Sequence, residues 1–596
     1  MNYFIKIIEI FSPAEKKNAA LLLLMIFVMA VLDVLGIASI FPFMAVLADP
    51  SLIKNNTYLS WIYVRLGFAT RHDFLIFLGL ASFILLVISI AFKAVGTYLQ
   101  LRFALMREYS LGKRLIERYL RQPYSWFLNR QSNDMGKTIL SEMNIVVQHA
   151  ILPMIVIIAQ SAVVLLILAM LFALKPLLAL VVGSTLAIVY GVIIKVVANK
   201  LTRIGYERIK ENQRRFIATG EAFSAVKEIK ISGLEDVYIE RFGTSAMRYA
   251  DYQASALIIS ALPRYALEAV AFGGMLLLLL YLLIDGGGLA TALPIISLYA
   301  FAGYRLMPAL QQIYSNIALL KFAGPALDKL HSDLVKLALP NQFKDDATKM
   351  TISERLELKN ISFTYPDANK LALSNISMNI PVLSTVGLVG SSGSGKSTTI
   401  DIIAGLLNPE IGIMEVDGVV IEPHNCRNWQ RSIGYVPQQI YLSDDTIAAN
   451  IAFGIDPDKV DLVALEQAAR IANLHDFINS DLPDGYMTKV GERGVRLSGG
   501  QRQRIGIARA VYHQPLILIL DEATSALDNL NERAVMDAVN NLSHKITIII
   551  VAHRLSTVRQ CDKLYLFEGG QVSAVGTYDE LVSKNALFKK MAKFES

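Results

Sequence analysis

Residues 390–397 read Gly-Ser-Ser-Gly-Ser-Gly-Lys-Ser, and farther along a run of four apolar residues, Ile517 to Leu520, ends in Asp521 and Glu522. Glycines let a loop bend until its backbone N–H groups converge on phosphate oxygens. Gly390, Ser391, Gly393, Ser394 and Gly395, followed by Thr398, therefore read as a cradle for a polyphosphate. Lys396 is placed to reach the β and γ phosphates, and Ser397 to offer its hydroxyl to Mg²⁺. An apolar run closed by two acids describes a buried strand that delivers carboxylates to its C-terminal end, where open α/β sheets bind ligands. Asp521 is thereby expected to hold Mg²⁺ through water, and Glu522 to act as general base toward an attacking water.

Between those two features lies Leu497-Ser498-Gly499-Gly500-Gln501. With the three in this order, the C-terminal part resembles an ATP-binding cassette (ABC) nucleotide-binding domain, which implies ATP and Mg²⁺ as its cofactors. The resemblance extends to single residues. Tyr365, before Pro366, takes the place of the aromatic that stacks on adenine, at the end of a stretch that alternates like an edge strand. Gln438 matches the glutamine that ligates Mg²⁺ and senses the membrane domain, with Gln439 beside it as the alternative. His553, after the β-rich run Ile546 to Val551, matches the switch histidine that contacts the γ-phosphate. Asp528 matches a loop that crosses the dimer interface, and Val490 to Gly494 a segment that touches the membrane domain's coupling helices. In this family Ser498, Gly499, Gly500 and Gln501 cap the ATP of a second subunit, so the resemblance implies a dimer. Because Glu522, the signature and His553 are all of consensus type, a homodimer is expected.

A domain of this kind has to be positioned, and composition says by what. The 596 residues are 54% hydrophobic and only 18% charged, with the apolar excess confined to roughly the first 320, which is a membrane protein's pattern. Segments long enough to cross a bilayer, about 20 residues each, occur near 19–47, 74–99, 150–174, 177–198, 257–284 and 288–320. The expected fold is therefore an all-α membrane domain of six helices with cytoplasmic extensions, residues 1–335, fused to a soluble α/β P-loop cassette domain, residues 336–596. Lys and Arg crowd the stretches Arg102 to Lys137 and Lys200 to Arg248 but are scarce in the turns Ala173 to Pro176 and Asp285 to Gly288. By the positive-inside rule both termini and the two long loops are cytoplasmic. The same placement accounts for the net charge of +6 without nucleic acid. Cys426 and Cys561 both fall in the ATP-binding part, where a reducing cytosol argues against a disulfide.

The turns of the long loops, within 120–135 and 215–235, look like the two coupling helices of ABC exporters. Between the first two spans, Tyr58 to Phe68 is too short to cross and reads as a helix on the outer membrane surface or as a packed loop.

Cargo is legible only in the spans. Ionisable residues there are costly and usually face a cavity; among them are Asp33, Lys93, Arg264, Glu268 and Arg305. At about 1.5 Å per residue, Lys93 and Arg305 lie roughly 25–30 Å from the outer side. With Arg264 they fall toward the inner leaflet as a receptor for an anionic headgroup such as a pyrophosphate. The competing reading pairs Arg264 with Glu268 one turn away and lets Lys93 snorkel. Ser141-Glu142, Lys227 to Lys230, Pro263 to Glu268 and Gly303 to Pro308 resemble bacterial flippases of lipid-linked oligosaccharides and related glycolipids. That resemblance implies a lipid-linked glycan as substrate and the bacterial cytoplasmic membrane as location. An exporter of lipid A, drugs or peptides is the alternative.

Overall fold

The computed structural model describes the chain apart from residues 1, 175, 267, 270–271, 275, 277–288, 338–347, 367, 492–493, 524–528, 553 and 596. It divides into two compact units, Met1–Gln122 with Arg130–Pro340, and Pro123–Asn129 with Asn341–Ser596.

The first unit is helical. Four of its described segments are long and apolar enough to cross a membrane: Pro13–Ala48, Arg71–Leu120, Asn133–Ala173 and Ala179–Ser224. The expected fifth span lies in part, and the turn 285–288 wholly, outside the described residues; the helix Leu289–His331 covers the sixth. Helices run on well past the apolar stretches: Arg71–Leu120 has 50 residues, about 75 Å at 1.5 Å per residue. The start of the first span is fixed locally. Ser12 caps it, with Pro13 in the first turn and Glu15 closing a reciprocal capping box, which satisfies N–H groups that a helix start leaves without partners. The span then breaks at Ser39 and resumes as Ile40–Ala48, because Pro42 has no N–H to give the carbonyl four residues back. Ser82 of the next helix binds the carbonyl of Ser39 at 2.8 Å.

The third span carries two π-helical stretches, Thr138–Glu142 and Val147–Ile151. Beside them Glu142 and Arg208 form a fully buried ion pair at 2.6 Å, to which Asn212 adds a hydrogen bond at 2.8 Å. Short helices stand at both expected loop turns, Tyr124–Leu128 in the second unit and Val226–Ser232 in the first. Between the first two spans is the helix Thr57–Arg65. Leu59, Ile62, Tyr63 and Phe68 pack on Val46, Phe74 and Leu78, while Tyr58, Trp61 and Val64 stay exposed, so one amphipathic segment is both packed and outward-facing.

The second unit is α/β, with strands β1 (Arg355–Thr364), β2 (Leu371–Pro381), β3 (Thr385–Gly390), β4 (Ile411–Val416), β5 (Val419–Val420), β6 (Ile433–Val436), β7 (Ile517–Asp521), β8 (Thr547–Val551), β9 (Lys563–Glu568) and β10 (Gln571–Gly576). A four-stranded sheet has the order β2-β1-β4-β5 and a six-stranded one the order β10-β9-β3-β8-β7-β6. The expected edge strand before Pro366 is therefore an inner strand. β1 pairs with both β2 and β4, and the proline does no harm because pairing ends at Thr364. The core of the six-stranded sheet follows from period two: Ile517, Ile519 and Ile549 face one apolar cluster with Ile400 and Trp429, whereas Leu518, Leu520, Ile548 and Ile550 face another with Ile505 and Ala508. Both faces being covered explains the unbroken apolar runs.

Candidate functional site: a phosphate cradle and a buried carboxylate with two cations

β3 is buried along its whole length and lies between β8 and β9, so the loop after it is held at the middle of the sheet's C-terminal edge. Only glycine fits two of its positions. At Gly390 a Cβ would lie 2.3 Å from the Phe567 carbonyl oxygen, and at Gly395, with φ +104°, 2.6 Å from a Leu373 methyl. Lys396 opens the helix Lys396–Ile403 and folds back over the loop, its ammonium donating to the carbonyls of Gly390 and Ser391 at 2.8 and 2.9 Å. Burial pushes its pKa below the usual lysine range, and the charges of Glu522 and Asp521 oppose that shift. Ser394 Oγ is buried with no hydrogen-bond partner among the described residues. Ser397 is exposed in the first helical turn, where the N–H groups and the helix dipole favour an anion. The loop thus fits a phosphate chain on its own geometry, with an orphaned hydroxyl, a folded ammonium and glycines that admit no side chain.

β7 brings the two acids to the same edge. Glu522 sits at φ +49°, a costly conformation for a side chain other than glycine, and is held there by its N–H to the Val551 carbonyl at 3.1 Å. Gln438 Nε2 donates to Glu522 Oε2 at 2.6 Å, which distinguishes it from Gln439. The Tyr435 hydroxyl reaches Asp521 Oδ2 at 3.3 Å. Burial, then the Asp521 charge, pushes the carboxyl of Asp401 up to about 6. Neither Tyr435 nor Asp401 stands out in the sequence, since a strand tyrosine and a helix aspartate are ordinary there. Tyr365 packs edge-on against Phe363, its hydroxyl 2.9 Å from that of Thr398, one helical position past Ser397. His553 and Asp528 lie outside the described residues, as do Glu492 and Arg493.

The signature segment caps a helix. Ser498 and Gln501 form a reciprocal capping box at the start of Gly499–Tyr512, and Ser498 and Gly499 are exposed there while Gly500 is buried. Arg509 on this helix donates to the Tyr441 carbonyl at 2.8 Å and the Asn450 carbonyl at 2.7 Å. It thereby ties the signature helix to the chain that follows Gln438, a link that no local pattern announces.

In the helical unit Asp33, Lys93, Arg264, Glu268 and Arg305 sort into two groups. Arg264 pairs with Glu268 at 2.7 Å, the one-turn pairing open to it from sequence. Lys93 and Arg305 meet on Asp33 instead, Lys93 Nζ at 3.7 Å from Oδ2 and Arg305 at 3.3 Å from Oδ1.

Two family models match this chain. Residues 22–304 match the family described as ABC transporter transmembrane region, and residues 373–525 the family described as ABC transporter. The ATP-dependent lipid A-core flippase of Cupriavidus metallidurans is 30% identical over 81% of this chain and 80% of its own length. ABC transporter B family member 1 of Arabidopsis thaliana is 44% identical over 41% of this chain and 19% of its own length. A solved structure of a bacterial Atm1-family ABC exporter with ATP bound matches with a TM-score of 0.78, covering 98% of this chain and 99% of that one at 22% identity, a likeness of fold.

Proposed function

We propose, since this chain belongs to the ABC transporters as an exporter half-transporter, that it spends ATP to flip an amphipathic lipid with an anionic, glycan-bearing headgroup across the bacterial cytoplasmic membrane. The observation that carries the headgroup is the meeting of Lys93 and Arg305 on one buried carboxylate within membrane-length helices. Two cations on one acid leave a net positive charge, and ionisable groups at that depth are kept for a ligand or a pathway. A lipid-linked oligosaccharide is the first reading, with Lys93, Arg305 and Arg264 toward its phosphates. The second reading is a lipid A type of glycolipid, favoured by the name of the Cupriavidus relative.

In the ATP site, Lys396 and the loop N–H groups bind and orient the β and γ phosphates. Ser397, Gln438 and Asp521 would hold Mg²⁺, which supplies charge neutralisation on the phosphates when bound. Glu522 takes the proton of the attacking water, with Gln438 fixing its carboxylate. The exposed start of the signature helix closes the ATP site of a second copy, so the working form is a homodimer with domains divided near residues 335 and 336. Tyr365 stacks on adenine, and His553 and Asp528 complete the site and the dimer contact.

The test is flipping in proteoliposomes of a polyprenyl-pyrophosphate oligosaccharide beside a lipid A glycolipid. Arg264→Ala combined with Arg305→Ala is expected to abolish movement of the preferred cargo. Wild-type flipping in that variant, or equal movement of a lipid without any anionic group, would remove the proposal's basis.

A further inference from the structure

Asp33 is the centre of a built site. Its side chain is 1% exposed, although it belongs to a membrane-length helix where an unpaired carboxylate is costly. Three side chains from two other helices address it. Ser89 donates its hydroxyl to Oδ1 at 2.7 Å, Arg305 stands at 3.3 Å from the same oxygen and Lys93 at 3.7 Å from the other. Oδ2 accepts no hydrogen bond among the described residues, so Lys93 is held by charge and keeps its donors unspent. The side chains of Lys93 and Arg305 remain 34% and 21% exposed, whereas that of Asp33 is closed off.

The frame around Asp33 is rigid. Ala30 and Ile37, one turn on either side of it, share an apolar cluster with Ala302, Leu306 and Ala309, which flank Arg305. The first two spans approach closely at glycines: a Cβ on Gly36 would lie 3.4 Å from a Leu86 methyl, and one on Gly96 3.0 Å from the Met29 sulfur. The carboxylate is therefore a fixed point, whereas lysine and arginine side chains are long and mobile. Two such cations left to themselves repel each other and reach for water.

We propose that Asp33 is a positioning residue for the substrate site: it clamps Lys93 and Arg305 side by side so that their free donors converge on one lipid-borne phosphate or pyrophosphate. This rests on the anionic-headgroup reading given above. Holding donors in place before the ligand arrives removes ordering cost from binding, and Arg beside Lys suits a phosphate group.

The sign of one substitution separates this role from a purely Coulombic one. Asp33→Asn keeps the shape and an acceptor for Ser89 but removes the charge between the cations. If Asp33 only diluted their positive charge, anion binding would tighten; if it positions them, binding weakens. The full-length transporter in nanodiscs of neutral lipid is titrated with polyprenyl pyrophosphate, and with the uncharged polyprenol of the same chain. Stimulation is expressed relative to each variant's own ATPase without added lipid. Asp33→Asn is expected to raise the half-saturating fraction of polyprenyl pyrophosphate about tenfold, to leave the polyprenol response as in wild type, and to add nothing when Lys93→Ala and Arg305→Ala are already present. Inorganic pyrophosphate is expected not to stimulate. Where Asp33→Asn fails to fold, Ser89→Ala carries the test, with a smaller shift in the same direction. A lowered half-saturating fraction, an equal shift for polyprenol, an additive effect in the triple variant, or stimulation by inorganic pyrophosphate would each overturn the proposal. If Lys93→Ala with Arg305→Ala leaves the titration unchanged, the anionic-headgroup reading itself fails. If that pair shifts it while Asp33→Asn does not, only the positioning role fails.

Discussion

Replacing Glu522 by glutamine removes a base while leaving its surroundings almost untouched, and the structure says how nearly. The backbone at this position is left-handed and bears the same strain with glutamine as with glutamate, since neither branches at Cβ. Gln438 donates to Glu522 Oε2, and in the Glu522→Gln variant the new amide oxygen can accept from the same donor. Lys396 loses one of the two carboxylates that stabilise its ammonium but keeps Asp521, as well as both loop carbonyls. Nucleotide binding should therefore change little. A positioned general base contributes about 10² to 10⁴ in rate, which at about 1.36 kcal/mol per tenfold corresponds to a barrier raised by about 2.7–5.4 kcal/mol. Phosphate release from purified transporter, measured beside ATP binding at equilibrium, checks both halves. Hydrolysis should fall by at least about a hundredfold with ATP affinity near wild type. Turnover within about threefold of wild type, too small a loss for a general base, would refute the assignment of Glu522.

Other outcomes follow from the same geometry. If the signature acts on a second copy's ATP, subunits carrying Lys396→Ala mixed with subunits carrying Ser498→Arg should form some dimers with one intact site, detectable as occluded ATP that neither variant shows alone. Gly395→Ala should weaken ATP binding by about tenfold or more, because the new methyl meets Leu373 at 2.6 Å in a left-handed backbone; a titration with labelled ATP would expose the error if affinity holds. Gly205→Ala should lower the thermal midpoint of the solubilised protein, its Cβ lying 2.2 Å from the Phe322 carbonyl oxygen, at a cost of about 1–3 kcal/mol. An unchanged midpoint would mean that the two helices part more easily than their packing indicates.

Much of the molecule was legible because the controlling physics is local. A phosphate loop needs glycines at fixed spacing, a buried strand needs an apolar run, and a bilayer-length helix needs about 20 apolar residues. Those requirements leave their mark within a few residues of one another, so the cassette, its order of motifs and the helical unit could be read directly. The segment 19–47 reads as one span, although Pro42 within it accounts for the break at Ser39 once the missing N–H is traced to its acceptor.

What the sequence could not decide was which distant partner each residue meets. β1 looked like an edge from its alternation and its neighbouring proline, but edge or centre depends on whether β4 folds back onto it. Gln438 and Gln439 are identical in type and adjacent; only the approach of Glu522 picks out Gln438. Arg264 kept the partner one turn away that helix geometry offers. Lys93 and Arg305 took one that no periodicity reveals, because Asp33 comes to them from a different helix, 272 positions before Arg305 in the chain. Sequence by itself determined which charges fall within the bilayer-length apolar segments, since covalent order fixes depth. Tertiary packing decided which of them share a carboxylate, since Coulomb attraction and close helix contact act through space rather than along the chain.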